Sequence, residues 1–162
     1  EAIRRICKIR SDVEFEIVGW YEDDSYRDIV ATIQAKYPVI FHDEVSQQRV
    51  HELIADSHCL IHPSHHEGMA NVVLEAAAAG RPAIVSDIPG CRESVDEGKT
   101  GFLFPVCDAD RLYDAIRRFL ETPPATRAEM GKAARRKMHS EFDRTDVVRS
   151  YVEEIRRTST RT

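Results

Sequence analysis

Five short apolar runs, alternating with stretches of helical spacing, set the narrowest limit on how this chain folds. Phe15-Glu16-Ile17-Val18 ends at Gly19, as a strand does when it enters a tight turn. Pro38-Val39-Ile40-Phe41, Cys59-Leu60-Ile61, Ala83-Ile84-Val85 and Gly101-Phe102-Leu103-Phe104-Pro105 repeat the pattern. Between them, Ser25 to Lys36 places Tyr26, Ile29, Val30 and Ile33 on one helical face, Ser46 suits the cap of a helix running to about Ala55, and Asn71 to Ala79 is an Ala-rich helix closed by Gly80. Strands this apolar are buried on both faces, and strands alternating with helices pair in parallel. The expected fold class is therefore α/β, a Rossmann-like doubly wound parallel sheet.

Beyond the fifth run the chain turns helical, from Asp108 to Glu121, Pro124 to His139 and Thr145 to Arg157. No strands separate these helices, so they are expected as an appendage. The 162 residues fit one domain, with a core at about 12–121 and a helical extension at about 122–158. Glu1 to Arg10 has helical spacing with no strand before it, and the first residue is not Met. The expectation is a piece of a larger protein from which at least one strand has been removed.

Charge narrows the partners. Residues 1–107 carry 10 Lys/Arg against 18 Asp/Glu, whereas residues 108–162 carry 13 against 10. An acidic front half argues against nucleic acid, because phosphate-backbone binding needs clustered cations. The basic tail with Arg135, Arg136 and Lys137 reads as a solvated helix face, with an anionic membrane surface as the second reading. No run approaches the ~20 apolar residues of a membrane span, and no signal peptide opens the chain. Cys7, Cys59, Cys91 and Cys107 stand 52, 32 and 16 residues apart, a spacing that encodes neither a zinc site nor a redox pair. A reducing cytoplasm is the expected compartment, at most at the inner face of a membrane.

Ligands of an open parallel sheet bind beyond the carboxyl ends of its strands. After the third run comes His62-Pro63-Ser64-His65-His66-Glu67-Gly68-Met69-Ala70-Asn71, then Val72-Val73-Leu74-Glu75-Ala76-Ala77-Ala78-Ala79-Gly80. This places a loop and a helix N-terminus where a ligand would sit, and the free N–H groups there favour an anion such as a diphosphate. Gly68 permits close backbone approach, and Asn71 suits the N-cap. Glu75 stands among apolar neighbours one turn into a helix expected to be buried nearly all round, where an unsatisfied carboxylate costs several kcal/mol. Helical side chains lean toward the N-terminus, so Glu75 points at the same ligand space. Two vicinal hydroxyls of a ribose would satisfy it; a dipole-complementing Glu or one paired with an Arg is the equal alternative. Glu67 alone reads as a loop carboxylate. His58, His62, His65 and His66 lack the further ligands a metal shell needs, so no metal is expected.

The run Glu67-Gly68-Met69-Ala70-Asn71-Val72-Val73-Leu74-Glu75-Ala76, followed by Ala79-Gly80-Arg81-Pro82-Ala83-Ile84-Val85, resembles the signature of family 4 of the retaining glycosyltransferases. Asp87-Ile88-Pro89-Gly90-Cys91-Arg92-Glu93, Gly98-Lys99-Thr100-Gly101-Phe102-Leu103, Phe15 to Gly19 and Phe41 to Val45 support it, over residues 12 to 121. The resemblance implies the C-terminal, donor-binding half of a GT-B fold, whose acceptor-binding N-terminal domain is absent. It implies transfer of a hexose-type sugar from a nucleotide-sugar donor, of uridine type, to an acceptor hydroxyl, without metal or cofactor. The fragment alone would be inactive. Glu67 matches the catalytic glutamate that holds a donor-sugar hydroxyl and supports charge on the ring, and Glu75 the glutamate that binds the ribose. Gly68, Met69, Ala70, Asn71 and Val72 match the segment that meets sugar and diphosphate; His66 would line the donor pocket, and Gly19 and Phe41 to Val45 would flank the nucleotide.

Two departures stand out. The family's basic diphosphate ligands would precede Glu1, and Phe41-His42-Asp43-Glu44 lacks the glycine usual after that strand. Gly19-Trp20-Tyr21-Glu22 faintly resembles enzymes of bacterial surface polysaccharide synthesis, which would bring the full-length protein into peripheral contact with a membrane. A sugar-nucleotide epimerase and a non-catalytic binding module are the other readings.

Overall fold

The computed structural model describes residues 1–20 and 23–159, so Tyr21 and Glu22 of the last-named motif lie outside the described residues. All five apolar runs form strands within a residue of their expected limits: β1 (Phe15–Val18), β2 (Val39–His42), β3 (Leu60–His62), β4 (Ala83–Ser86) and β5 (Gly101–Phe104). Every pairing is parallel. Phe15 stands opposite Val39 and Val18 opposite His42; Leu60 lies against Ala83, which in turn lies against Gly101. The hydrogen-bonded ladders form two groups, β1-β2 and β3-β4-β5, rather than the single sheet expected. One hydrophobic cluster nevertheless joins them. Phe15 and Val39 pack with Ile84, Phe102 and Phe104 in the same core.

Among the described residues, seven α-helices surround the strands: α1 (Ala2–Ile9), α2 (Ser25–Gln34), α3 (Gln47–Asp56), α4 (Asn71–Ala78), α5 (Ala109–Glu121), α6 (Pro124–Glu141) and α7 (Arg144–Ser159). Local chemistry fixes their ends. The Ser46 hydroxyl accepts from the Arg49 N–H at 3.3 Å, and the Asp108 carboxylate accepts from the Arg111 N–H at 2.9 Å, so both helices begin at a capping side chain. Pro124 opens α6, where its missing N–H costs nothing. A short 3₁₀ turn at Arg92–Ser94 has no counterpart in the sequence reading.

The core runs past both limits drawn from sequence. Ile6 of α1 is fully buried, Ala115, Ile116 and Phe119 of α5 close over the same cluster, and Met130 of α6 joins them. Helix α6 is thus part of the packed body rather than an appendage. Gly131 of α6 rests on the Gly80 carbonyl so closely that a Cβ there would strike it. Lys137 adds ion pairs to Asp96 at 3.0 Å and Glu141 at 2.7 Å. In α7, by contrast, Val148, Tyr151 and Ile155 are all exposed. No described helix is long and apolar enough to cross a membrane.

Candidate functional site

The chain leaves β3 at His62 and enters the loop that carries the first glutamate. His62 Nε2 lies 2.9 Å from Glu67 Oε1, with side chains 23% and 27% exposed. A carboxylate only accepts, so this ring nitrogen carries the proton. The hydrogen bond from His62, and after it the nearby Ser64 side chain, holds the Glu67 carboxyl below its ordinary range. Glu67 is thereby oriented and charged while keeping contact with solvent.

Directly beneath it, the turn after β4 props the loop. Gly90 has φ +85°, and a Cβ added there would lie 2.7 Å from the Glu67 carbonyl oxygen and 2.9 Å from that of Gly68. The Ala70 N–H donates to the Gly90 carbonyl at 2.9 Å, and the Glu93 carboxylate accepts from the Gly90 N–H at 2.8 Å. The two loops therefore set one another, over the buried cluster of Ala70, Val73, Val85, Ile88 and Cys91. Burial pushes the Cys91 thiol up.

Helix α4 starts differently from the expectation. Its N-cap is Ala70, not Asn71, because the Ala70 bond to Gly90 fixes the residue at which the chain turns into the helix. Asn71 is the first helical residue, exposed, with its N–H on the Met69 carbonyl at 3.0 Å. Ala70 itself is 2% exposed, so of the loop residues it presents least to a ligand. Met69 is 40% exposed, and half-buried Val72 supplies a first-turn N–H of the kind that no intrahelical acceptor satisfies.

Nor is α4 buried all round. Val73, Ala76 and Ala77 face the core, while Asn71, Leu74, Glu75 and Ala78 line, with Met138, an open cavity of about 560 Å³. Glu75 meets no Arg. Its Oε1 accepts from Gln47 Nε2 at 2.9 Å, and its Oε2 stands 3.7 Å from His51 Nε2, both on α3. Neither α3 residue was a sequence candidate, since two polar side chains on an exposed face carry no signal of their own.

The remaining candidates spread around these two carboxylates. Half-buried Val45 precedes the cap of α3, two residues from Gln47. Gly19 and Phe41 stand at the carboxyl ends of β1 and β2, tied by the Gly19 N–H to the His42 carbonyl at 3.2 Å. His66 is exposed, its carbonyl accepting from the Ser64 hydroxyl at 3.1 Å. The histidines do not gather: His65 turns to Cys107 Sγ at 3.8 Å while His62 serves Glu67. Sequence reasoning also passed over Ser86 at the carboxyl end of β4, whose Oγ is buried with no hydrogen-bond partner among the described residues.

The description "Glycosyl transferases group 1" belongs to the family model that matches residues 1–137. Glycogen synthase of Mycobacterium tuberculosis is 42% identical over 81 residues, which is 50% of this chain and 19% of that protein. The D-inositol 3-phosphate glycosyltransferase of Streptomyces avermitilis is 28% identical over 135 residues, 80% of this chain and 29% of its own. Among solved structures, the Anabaena protein HepE in complex with UDP and glucose superposes with a TM-score of 0.82 at 21% identity, over 95% of this chain and 43% of its own. Sucrose-phosphate synthase from Thermosynechococcus elongatus follows with a TM-score of 0.79 at 24% identity, over 91% and 39%. The chain spans less than half the length of each, and at these identities the solved structures establish a shared fold.

Proposed function

This chain belongs to the glycosyl transferases group 1 family, and from that footing we propose that it is the donor-binding half of a retaining glycosyltransferase acting on a nucleotide diphosphate sugar of uridine type. The observation that carries the proposal is the placing of two carboxylates about the N-terminus of α4. Glu67 is held charged in the loop ahead of the helix, and Glu75 lies one turn into it. Between them, the Val72 N–H and the helix dipole offer a seat for a diphosphate. The Anabaena relative solved with UDP and glucose supports this reading through its fold.

In this scheme Glu75 receives the two ribose hydroxyls. Glu67 accepts from a sugar hydroxyl and stabilises the positive charge that develops as the bond from C1 to the phosphate oxygen breaks, its electron pair leaving with the diphosphate. The acceptor hydroxyl forms the new C1–O bond from the same face, and its proton passes to the departing phosphate oxygen. Backbone amides bear the leaving charge without a metal. The acceptor is supplied by the rest of a longer protein, whose part is to bring that hydroxyl into line.

The test is calorimetric titration of this chain with UDP, UDP-glucose and GDP, repeated on Glu75→Ala. One nucleotide should bind, and the variant should weaken it by about 10-fold or more, as loss of hydrogen bonds to a charged group does. Failure of every nucleotide to bind, or binding that Glu75→Ala leaves untouched, refutes the reading.

A further inference from the structure

Glu75 is held from the side by α3. Gln47 is the first residue of that helix, and His51 stands one turn further along on the same face. Gln47 Nε2 lies 2.9 Å from Glu75 Oε1 and 3.1 Å from His51 Nε2. A carboxylate only accepts, so the Gln47 amide must present its NH₂ group to it. The second N–H of that group then points at His51, whose Nε2 accepts it as the neutral ring with the proton on Nδ1. His51 Nε2 is 3.7 Å from Glu75 Oε2, too far for a hydrogen bond of its own. The order of contact is therefore His51 to Gln47 to Glu75, with each group fixing the next.

The count of lone pairs gives this arrangement a use. An ionised carboxylate offers about four acceptor sites, two on each oxygen. Gln47 occupies one site on Oε1, which leaves Oε2 whole and one site on Oε1. Each oxygen thus keeps a free site, enough for two vicinal hydroxyls, with the carboxylate plane already set. The Glu75 side chain is 31% exposed and lines the open cavity beside α4, so the free sites are reachable. Without Gln47 the carboxylate would turn about its terminal bond, and binding a diol would have to stop that rotation.

We infer that Gln47, itself oriented by His51, is a positioning residue that pre-sets the Glu75 carboxylate for the two hydroxyls of a ribose, and so sets the preference of this site for ribonucleotides over deoxyribonucleotides. The inference rests on the donor-site reading above and names a specificity element within it. Gln47 touches no ligand atom in this account; it acts through Glu75.

The experiment is a titration of the chain with UDP and with 2′-deoxyUDP, on wild type, Gln47→Ala, His51→Ala and Glu75→Ala. In wild type UDP should bind more tightly than 2′-deoxyUDP. Gln47→Ala should shrink that ratio by about three- to tenfold, the worth of one hydrogen bond to a charged group at a half-exposed site, while leaving 2′-deoxyUDP binding nearly unchanged. His51→Ala should move the ratio the same way and by less. In the nucleotide-free protein, the Gln47 side-chain NH₂ resonances should shift on Glu75→Ala, which reads the contact independently of any ligand. A wild-type preference that Glu75→Ala abolishes and Gln47→Ala preserves overturns the role of Gln47 and spares the donor site. Resonances of Gln47 that ignore Glu75→Ala overturn it as well. Equal binding of the two nucleotides, or of neither, refutes the ribose role of Glu75 and removes this inference with it.

Discussion

The β3-β4-β5 half and the β1-β2 half of the molecule are built from similar apolar runs, yet they are buried to different depths. All four residues of β4 are buried, Ile84 to 1% exposure. In β2, Ile40 is 40% exposed, and the face it shares with Val18 of β1 is open. The helices repeat the contrast. Helix α4 sends Val73, Ala76 and Ala77 into the core, whereas α2 has no buried residue and exposes Tyr26 and Ile29. The same periodicity therefore specifies the type of element in both halves and the depth of burial in neither. Both carboxylates of the candidate site stand on the deeply packed half, the kind of support that holds a constellation to its geometry.

The comparison breaks most sharply at paired isoleucines. Ile84→Ala should cost about 2–5 kcal/mol, since it removes buried methylenes and leaves a cavity under both ladders. Ile29→Ala on α2 should stay within about 0.5 kcal/mol. Urea unfolding of the two variants measures the difference, and equal losses would show that the β1-β2 half is buried in solution. Next in size is Gly90→Ala. A side chain there is strained by φ +85° and pushed against the Glu67 and Gly68 carbonyls, so the loss should be about 2 kcal/mol. Because the loop must shift, nucleotide binding should fall more than stability at this site, whereas Ile84→Ala should spare binding in whatever fraction stays folded.

Much of this was legible in the sequence, and the limits of what was have physical causes. The strands and the cap at Ser46 follow from local chemistry, which the chain states residue by residue. The family signature from Glu67 to Ala76 located the loop and α4. The partners of the two glutamates were not legible. Glu75 meets Gln47 from 28 residues away and Glu67 rests on Gly90 from 23 away, contacts made by the crossing of α3 and by the turn after β4. The N-cap of α4 was misplaced for the same reason: Asn71 is the better capping residue, but the tertiary bond from Ala70 to Gly90 chose the start. The depth of α6 in the core also rests on a long-range fact, the fit of Gly131 against Gly80, that no local pattern announces.

The smallest effect tests whether the buried half holds its charge as well as its shape. Glu67 is kept below the ordinary carboxylate range chiefly by the hydrogen bond from His62. A depressed folded value means a contribution to stability that is present above the unfolded value of about 4.3 and is lost as pH falls through the folded one. His62→Ala should let the Glu67 carboxyl rise toward its ordinary range, as followed by NMR titration of its side-chain carbon. The wild-type decline in stability below about pH 4.3 should become shallower in the variant, while nearer neutrality the variant is slightly less stable. Glu67 stays ionised at neutral pH in both proteins, so any loss of nucleotide-sugar binding in His62→Ala at pH 7 measures the orientation of the carboxylate rather than its charge. An unchanged Glu67 midpoint would mean that Ser64 alone sets it, and would move the support of this glutamate from the end of β3 into the loop itself.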